Sequence, residues 1–199
     1  MQKTRTGRPR SKRRHNAILR TAIDLVLELG FRAVSIESIA AKTGVAKTTI
    51  YRRWPNKAAV VMDAFMLRFG SGTQFQTAKP KAKKVTDSIR LQMRTLARAF
   101  RSKDGAVVKA LLAEAQFDAE LSTAFHERWT LPRRKMILAV LQRAISPGEL
   151  RSDIDLEATI DLLYAPIYYR LQRGTGSLSD AYIDEIFHQA MEGLLQRKD

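Results

Sequence analysis

The sequence predicts an all-α protein with a small, strongly basic helical head followed by a larger helical body. Two observations carry the class: apolar residues recur at helical spacing from about residue 14 onward, and no apolar–polar alternation of a strand appears. A third carries the division. Residues 1–57 hold 14 Lys and Arg against 3 Asp and Glu, net +11, whereas residues 58–199 hold 21 against 17, net +4. With 45% hydrophobic residues in 199, the chain can bury a real core.

Residues 1–13 carry six Lys or Arg and a Gly7/Pro9 pair, so a flexible basic arm is expected there. The first helix starts near Arg14, with Ile18, Ala22, Leu25, Val26 and Leu29 on one stripe and Gly30 as its stop. Ser35 stands as N-cap of a short second helix that ends at Gly44, with Glu37 in the first turn where the helix dipole favours an anion. After a turn of a few residues, a third helix runs from about Ala46 to Arg53, with Val45, Ile50 and Trp54 as apolar contacts. Pro55 stops it, and Asn56 caps a fourth helix through about Phe69.

Residues 70–84 read as a linker or exposed loop. Helices are then expected over about 86–102, 104–116, 118–145 with a break at Pro132, 155–172 and 179–196, with no repeat at a fixed period. The expected organisation is an arm (1–13), a head (14–60) and a body (61–199).

Charge and composition restrict the function. A net charge of +15 draws the chain toward polyanions, either nucleic acid or an anionic membrane. No cysteine is present, so neither a disulfide framework nor a thiolate metal site is expected, and a reducing compartment suits the chain. The absence of a signal-peptide core and of a run of about 18 apolar residues points to a cytoplasmic protein without a membrane partner.

Catalysis finds no constellation. His15, His126 and His188 are far apart in sequence, and Gly174-Thr175-Gly176-Ser177 lacks the Lys or third Gly of a nucleotide loop. His126 and Glu127 point in different directions on a helix and read as a surface pair rather than metal ligands. Neither metal nor cofactor is called for, and the chain is not expected to be an enzyme.

Two short helices around a Gly-containing turn can lay the second helix in the major groove, where base edges are distinguishable. Here Lys47, Thr48, Thr49, Tyr51, Arg52 and Arg53 form a donor-rich face opposite Ile50 and Trp54. A non-specific nucleic-acid coat would explain the charge but not the larger, nearly neutral body.

The stretch VSIESIAAKTGVAKTTIYRRWPNK (residues 34–57), with Gly30-Phe31 before it and residues 58–61 after it, resembles the DNA-binding signature of the TetR/AcrR family. The match is dense over residues 14–65, and residues 147–171 resemble one subgroup's C-terminal domain. The resemblance implies a three-helix helix-turn-helix DNA-binding domain plus a larger C-terminal ligand-binding and dimerisation domain. It implies a sequence-specific transcriptional regulator, acting as a repressor that a small apolar effector releases from a near-palindromic double-stranded operator. Such a protein would be nucleoid-associated.

Carried over by residue, the resemblance puts Lys47, Thr48 and Thr49 at the groove-facing start of the recognition helix. Tyr51 and Arg52 would reach phosphates or base edges, Lys57 would meet a phosphate, and Ser35 and Thr43 join the DNA-contacting set. Ala46 departs from the Ser or Thr common at its position and can neither cap the helix nor bond a phosphate. Thr6-Gly7-Arg8-Pro9-Arg10 contains the Gly-Arg-Pro core of minor-groove arms, which makes Arg8 and Arg10 candidates.

In the body, the family's apolar cavity would be lined by Met93, Phe117, Trp129, Tyr164 and Tyr168; Trp129 and the tyrosines combine an apolar body with a hydrogen-bonding tip. The last two helices carry long apolar stripes that suit a two-fold four-helix bundle. Ile160, Ile167, Ile183, Phe187, Met191 and Leu194 are the expected homodimer contacts.

Overall fold

The computed structural model describes residues 8–69 and 84–193, and the described residues form helices and no strand. The helices are α1 (Arg8–Leu29), α2 (Ile36–Thr43), α3 (Lys47–Tyr51), α4 (Lys57–Phe69), α5 (Val85–Arg101), α6 (Lys103–Glu114), α7 (Ala119–Phe125), α8 (Leu131–Ile145), α9 (Leu156–Arg173) and α10 (Asp180–Glu192). A π-helical turn, His126–Thr130, precedes α8. The described residues form two compact units: residues 8–69 with 110–125, and residues 84–109 with 126–193.

In the first unit α1 packs on α2 and α4, and α4 packs on α7. Ile18, Leu19, Ala22, Ile23, Leu25 and Val26 give α1 one continuous buried face, met by Phe31, Ile39, Ile50, Val61 and Phe65. The Phe65 ring meets those of Phe69 and Phe125 in tilted contacts, at ring distances of 4.6 Å and 5.7 Å. The expected head ends at residue 60, but all of α4 groups with α1, because Val61, Met62, Ala64 and Phe65 are buried in the same core.

Helix α1 starts at Arg8 rather than near Arg14. Pro9 is tolerated in a first turn, where its missing N–H would have no partner in any case, and Lys and Arg are good helix formers. The arm expectation is therefore corrected for residues 8–13, and its residues 1–7 lie outside the described residues.

The second unit is built on α5, which packs against α8, α9 and α10, with α9 also on α8 and α10. Ile89, Met93, Leu96, Ala97 and Phe100 form the buried side of α5. Its first turn has no cap from Lys84; instead the Glu149 carboxylate accepts from the Val85 N–H at 2.8 Å, the Thr86 N–H at 2.9 Å and the Thr86 hydroxyl at 2.9 Å. These bonds hold the Glu149 carboxyl below its ordinary range, the Thr86 N–H first and the Val85 N–H next.

Arg94 pairs with Asp184, and Arg98 and Arg101 with Asp180, tying α5 to α10; Arg134 ties α8 to Glu157 and Asp161 of α9. Gly105 follows α5 so closely that a Cβ there would lie 1.8 Å from the Phe100 carbonyl oxygen.

Two expectations for the second unit change. The break expected at Pro132 falls earlier, at the π turn, and Pro132 sits in the first turn of α8, where its ring breaks no ladder bond. Helix α10 ends at Glu192 because Gly193 takes φ +81, outside the helical region, while residues 194–199 lie outside the described residues. Pro166 does lie inside α9, which continues past it to Arg173.

Candidate nucleic-acid interface

Helix α2 is fixed at both ends before α3 begins. Ser35 accepts from the Ser38 N–H at 3.0 Å while Ser38 Oγ accepts from the Ser35 N–H at 3.1 Å, a reciprocal cap. Gly44 takes φ +66 at the other end, a left-handed position where a side chain is strained, and this redirects the chain into α3.

Helix α3 has only five residues and no side-chain cap at Ala46, so its packing has to hold it. Ile50 is fully buried and Trp54 nearly so. The Trp54 indole N–H donates to Asp63 of α4 at 2.5 Å, and the His15 ring of α1 stacks on Trp54 at 5.2 Å. Arg53 Nη1 meets His15 Nδ1 at 3.1 Å. These contacts leave Lys47, Thr48, Tyr51 and Arg52 exposed on the outer face, with Thr49 half-buried.

The electrostatics of that face is mixed. Lys47 Nζ lies 3.1 Å from Glu37 of α2, so one acidic charge stands within the basic surface. Glu37 is held below its ordinary value by its backbone hydrogen bond first and by Lys47 next. Ion-paired with Lys47, Glu37 repels a nearby phosphate less than an unpaired carboxylate would.

Ser35, Tyr51 and Lys57 line one open depression of about 480 Å³, together with Arg32, Asn56 and Glu120. Lys57 is placed differently from expectation. Its ammonium donates to the Phe31 carbonyl at 2.9 Å and lies 4.3 Å from the centre of the Phe31 ring. It is a tie across the turn after α1 more than an outstretched phosphate ligand.

Thr43 likewise turns back, donating to the Ile39 carbonyl at 2.7 Å. Arg8 and Arg10 fall in the first turns of α1, and their side chains are outside the described residues. Sequence reasoning passed over His15, Asp63 and Glu37 as parts of this surface. Nothing in a linear pattern marks His15, which lies 39 residues before Trp54.

In the second unit the candidate effector residues divide. Met93, Trp129 and Tyr164 are buried and Tyr168 is half-buried. Trp129 Nε1 donates to the Tyr168 hydroxyl at 3.2 Å, and the edge of one of the Phe100 and Tyr168 rings faces the other at 5.3 Å. Phe117 is a correction: it belongs to the first unit, is 77% exposed, and lies beneath the Arg32 guanidinium. It falls in the turn after α6, where no helix covers it.

The dimer candidates divide too. Ile160, Ile167 and Ile183 are buried within the protomer's own core, so they are corrected as interface contacts. Phe187 and Met191 are half-buried, and Leu194 lies outside the described residues. The exposed apolar stripe of α9 is instead Leu162 (58% exposed) and Tyr169 (56%), with exposed Ala158 and Ala165 in the same heptad spacing.

No helix among the described residues is long and apolar enough to cross a membrane, and no group of three His, Asp or Glu among them could hold a metal ion. A short helix clamped from behind, reached through a glycine turn, with a cationic and hydroxyl-bearing outer face, defines a helix-turn-helix DNA-binding protein.

The comparisons with known proteins agree. Residues 18–64 match the tetR family of bacterial regulatory proteins, and residues 80–190 match a tetracyclin repressor-like C-terminal domain. The chain belongs to the TetR family: it is a DNA-binding transcriptional regulator and not an enzyme.

It is 38% identical over 191 residues to YdeS of Bacillus subtilis, an uncharacterized HTH-type transcriptional regulator, covering 96% of this chain and 94% of that one. It is 30% identical over 190 residues to the DNA-binding transcriptional repressor TetR of Mycobacteroides abscessus, covering 94% and 96%. The crystal structure of the TetR family transcription regulator SCO0332 superposes with a TM-score of 0.71 at 26% identity, over 92% of this chain and 99% of that one.

Proposed function

We propose that the protein is a homodimeric repressor that reads a near-palindromic operator through α3 and releases it when a small, largely apolar effector enters the second unit. The observation that carries the reading is the exposure of Lys47, Thr48, Tyr51 and Arg52 on a helix whose opposite side, Ile50 and Trp54, is buried. Lys47 and Thr48 present donors to base edges, and Tyr51 and Arg52 reach the flanking phosphates. Thr49, half-buried, contributes its hydroxyl at the margin of the groove.

Dimerisation follows from the stripe on α9. Leu162 and Tyr169 expose large apolar surface between the small side chains of Ala158 and Ala165, which allow a second helix to approach closely. Phe187 and Met191 of α10 extend it. Two copies pair isologously and set two α3 helices one or a few DNA turns apart.

Operator release requires only that the effector binds better to the form whose reading helices do not match the half-site spacing. A coupling of about 1–3 kcal/mol gives a change in operator affinity of roughly 5- to 150-fold. The test is selection of bound fragments from a random DNA pool followed by competition. A specific regulator recovers a near-palindrome and holds it against random DNA by about 10³ or more; a non-specific coat recovers no motif.

A further inference from the structure

Four polar side chains meet inside the second unit, and each brings a donor. Trp129, turned inward by the π-helical turn His126–Thr130, gives its N–H to the Tyr168 hydroxyl oxygen, which leaves the Tyr168 proton for another acceptor. Tyr164, one helical turn before Tyr168, is only 8% exposed, and its hydroxyl has no hydrogen-bond partner in the protein. Arg133, from the first turns of α8, lays its guanidinium over the Trp129 ring at 3.1 Å and gives Nη1 to the Trp129 carbonyl at 3.0 Å.

None of these four side chains is an acid. The set offers positive charge and hydroxyl protons beside Phe100, whose ring meets that of Tyr168. We propose that this cluster binds the carboxylate of a hydrophobic carboxylic acid, with Arg133 and the Tyr164 and Tyr168 hydroxyls as its donors. This rests on the reading that the second unit holds the effector and sharpens it from an apolar molecule to an anionic amphiphile.

The chemistry selects this class in three ways. A carboxylate only accepts hydrogen bonds, so it complements a cluster of donors, whereas an alcohol or amine would bring a further donor. A charged acceptor also forms the stronger bond in a dry setting. Burial lowers the Arg133 pKa to about 10, which still leaves the guanidinium charged at neutral pH. Burial raises the Tyr164 and Tyr168 hydroxyls above their ordinary value, so both keep the proton that they would donate. A single guanidinium suits a monoanion better than a dianionic phosphate, whose second charge would enter apolar surroundings unmatched.

The experiment is calorimetric titration of the full-length protein with matched probes: octanoate, dodecanoate and naphthoate against the corresponding alcohols, and dodecyl phosphate. Each probe is then tried on the operator complex. Wild type should bind each carboxylate about tenfold or more tighter than its alcohol. Arg133→Gln should bring that ratio close to one, Arg133→Lys should keep part of it, and Tyr164→Phe should weaken carboxylates severalfold while leaving alcohols unchanged. Because Tyr164→Phe only removes a hydroxyl without a partner, its Tm without probe should be unchanged or raised, and it carries the test alone if Arg133→Gln does not fold.

The proposal is overturned if alcohols or dodecyl phosphate bind as tightly as carboxylates, if both variants keep the wild-type preference, or if no probe binds. Alcohols that release the operator as well as acids would leave the regulatory reading standing and remove this one. Carboxylates that show the preference without weakening the operator complex would do the reverse.

Discussion

Trp54, three residues beyond the end of α3, donates its indole N–H to the carboxylate of Asp63 in the middle of α4, at 2.5 Å. The same indole is stacked on His15 of α1, so one side chain joins the reading helix to the two helices that carry it. A five-residue helix has too few internal hydrogen bonds to hold its own orientation. Its orientation therefore depends on Trp54, Asp63 and His15, which pack on the side away from the proposed reading face.

Asp63→Asn should separate aim from contact. The neutral amide keeps the shape but gives up a charge-assisted bond, a loss of about 1.5–3 kcal/mol in stability by comparison with similar bonds. Operator affinity should fall further than random-DNA affinity, because the proposed base reading depends on the placement of Lys47 and Thr48, whereas phosphate attraction does not. Urea unfolding and paired binding titrations measure both; equal losses on the two DNAs would refute the positioning role.

Lys57 and Arg52 should differ in salt dependence. Arg52 is exposed on the outer face, so Arg52→Ala should lower the slope of log affinity against log salt by about one unit. Lys57 is committed to the Phe31 carbonyl and ring, so Lys57→Met should leave that slope nearly unchanged and cost about 1 kcal/mol of stability. A slope change for Lys57→Met equal to that for Arg52→Ala would restore the phosphate contact implied by the family resemblance.

These contrasts show what was legible in the sequence. Helix identities follow from periodicity and from caps at Ser35, Gly44 and Asn56, because those signals are local. The reading face follows from Ile50 and Trp54 at i, i+4, again a local relation. Partners distant along the chain leave no such trace: Glu149 caps a helix that starts 64 residues earlier, and His15 meets Trp54 through the packing of α1.

Amphipathic stripes were legible as stripes, but not as to which covering they receive. Ile160 and Ile167 looked like interface residues and are core, while Leu162 and Tyr169, two positions further along α9 in each case, face outward. A helix with apolar residues on two faces gives no local sign of which face its own protomer takes. Phe117 shows the same limit, since an aromatic ring after α6 can be pocket or surface depending only on where the chain turns.

Acid stability should depend on Glu149. Its folded pKa is depressed below the ordinary 4.5 by the Thr86 and Val85 N–H groups, so its contribution is fully present above 4.5 and is lost as pH falls through the lower folded value. Glu149→Gln should therefore lower stability at neutral pH and reduce the dependence on pH below 4.5. Unfolding midpoints between about pH 3 and 7 test it. Parallel curves for wild type and variant throughout that range would show that the carboxylate does not cap α5 in solution.

Leu162→Glu should dissociate the proposed dimer, and Ile160→Ala should not. Leu162 is 58% exposed in the protomer, so a charge there is harmless to the monomer fold, but in a two-fold interface it places two glutamates opposite each other in apolar surroundings. Burial of a Leu side chain contributes about 1.5–3 kcal/mol, and isologous symmetry counts it twice, so the substitution should raise the dimer dissociation constant by at least about 100-fold. Ile160, 2% exposed, is core; its truncation should cost about 2–5 kcal/mol of folding stability and leave the association constant nearly unchanged where the variant remains folded. Sedimentation equilibrium across micromolar concentrations, with circular dichroism to confirm folding, distinguishes the two. Operator affinity should follow the dimer, so Leu162→Glu should bind the full palindrome no better than a half-site. A variant that stays dimeric would mean that α9 pairs through another face, and the interface would then have to be sought on α10 around Phe187 and Met191.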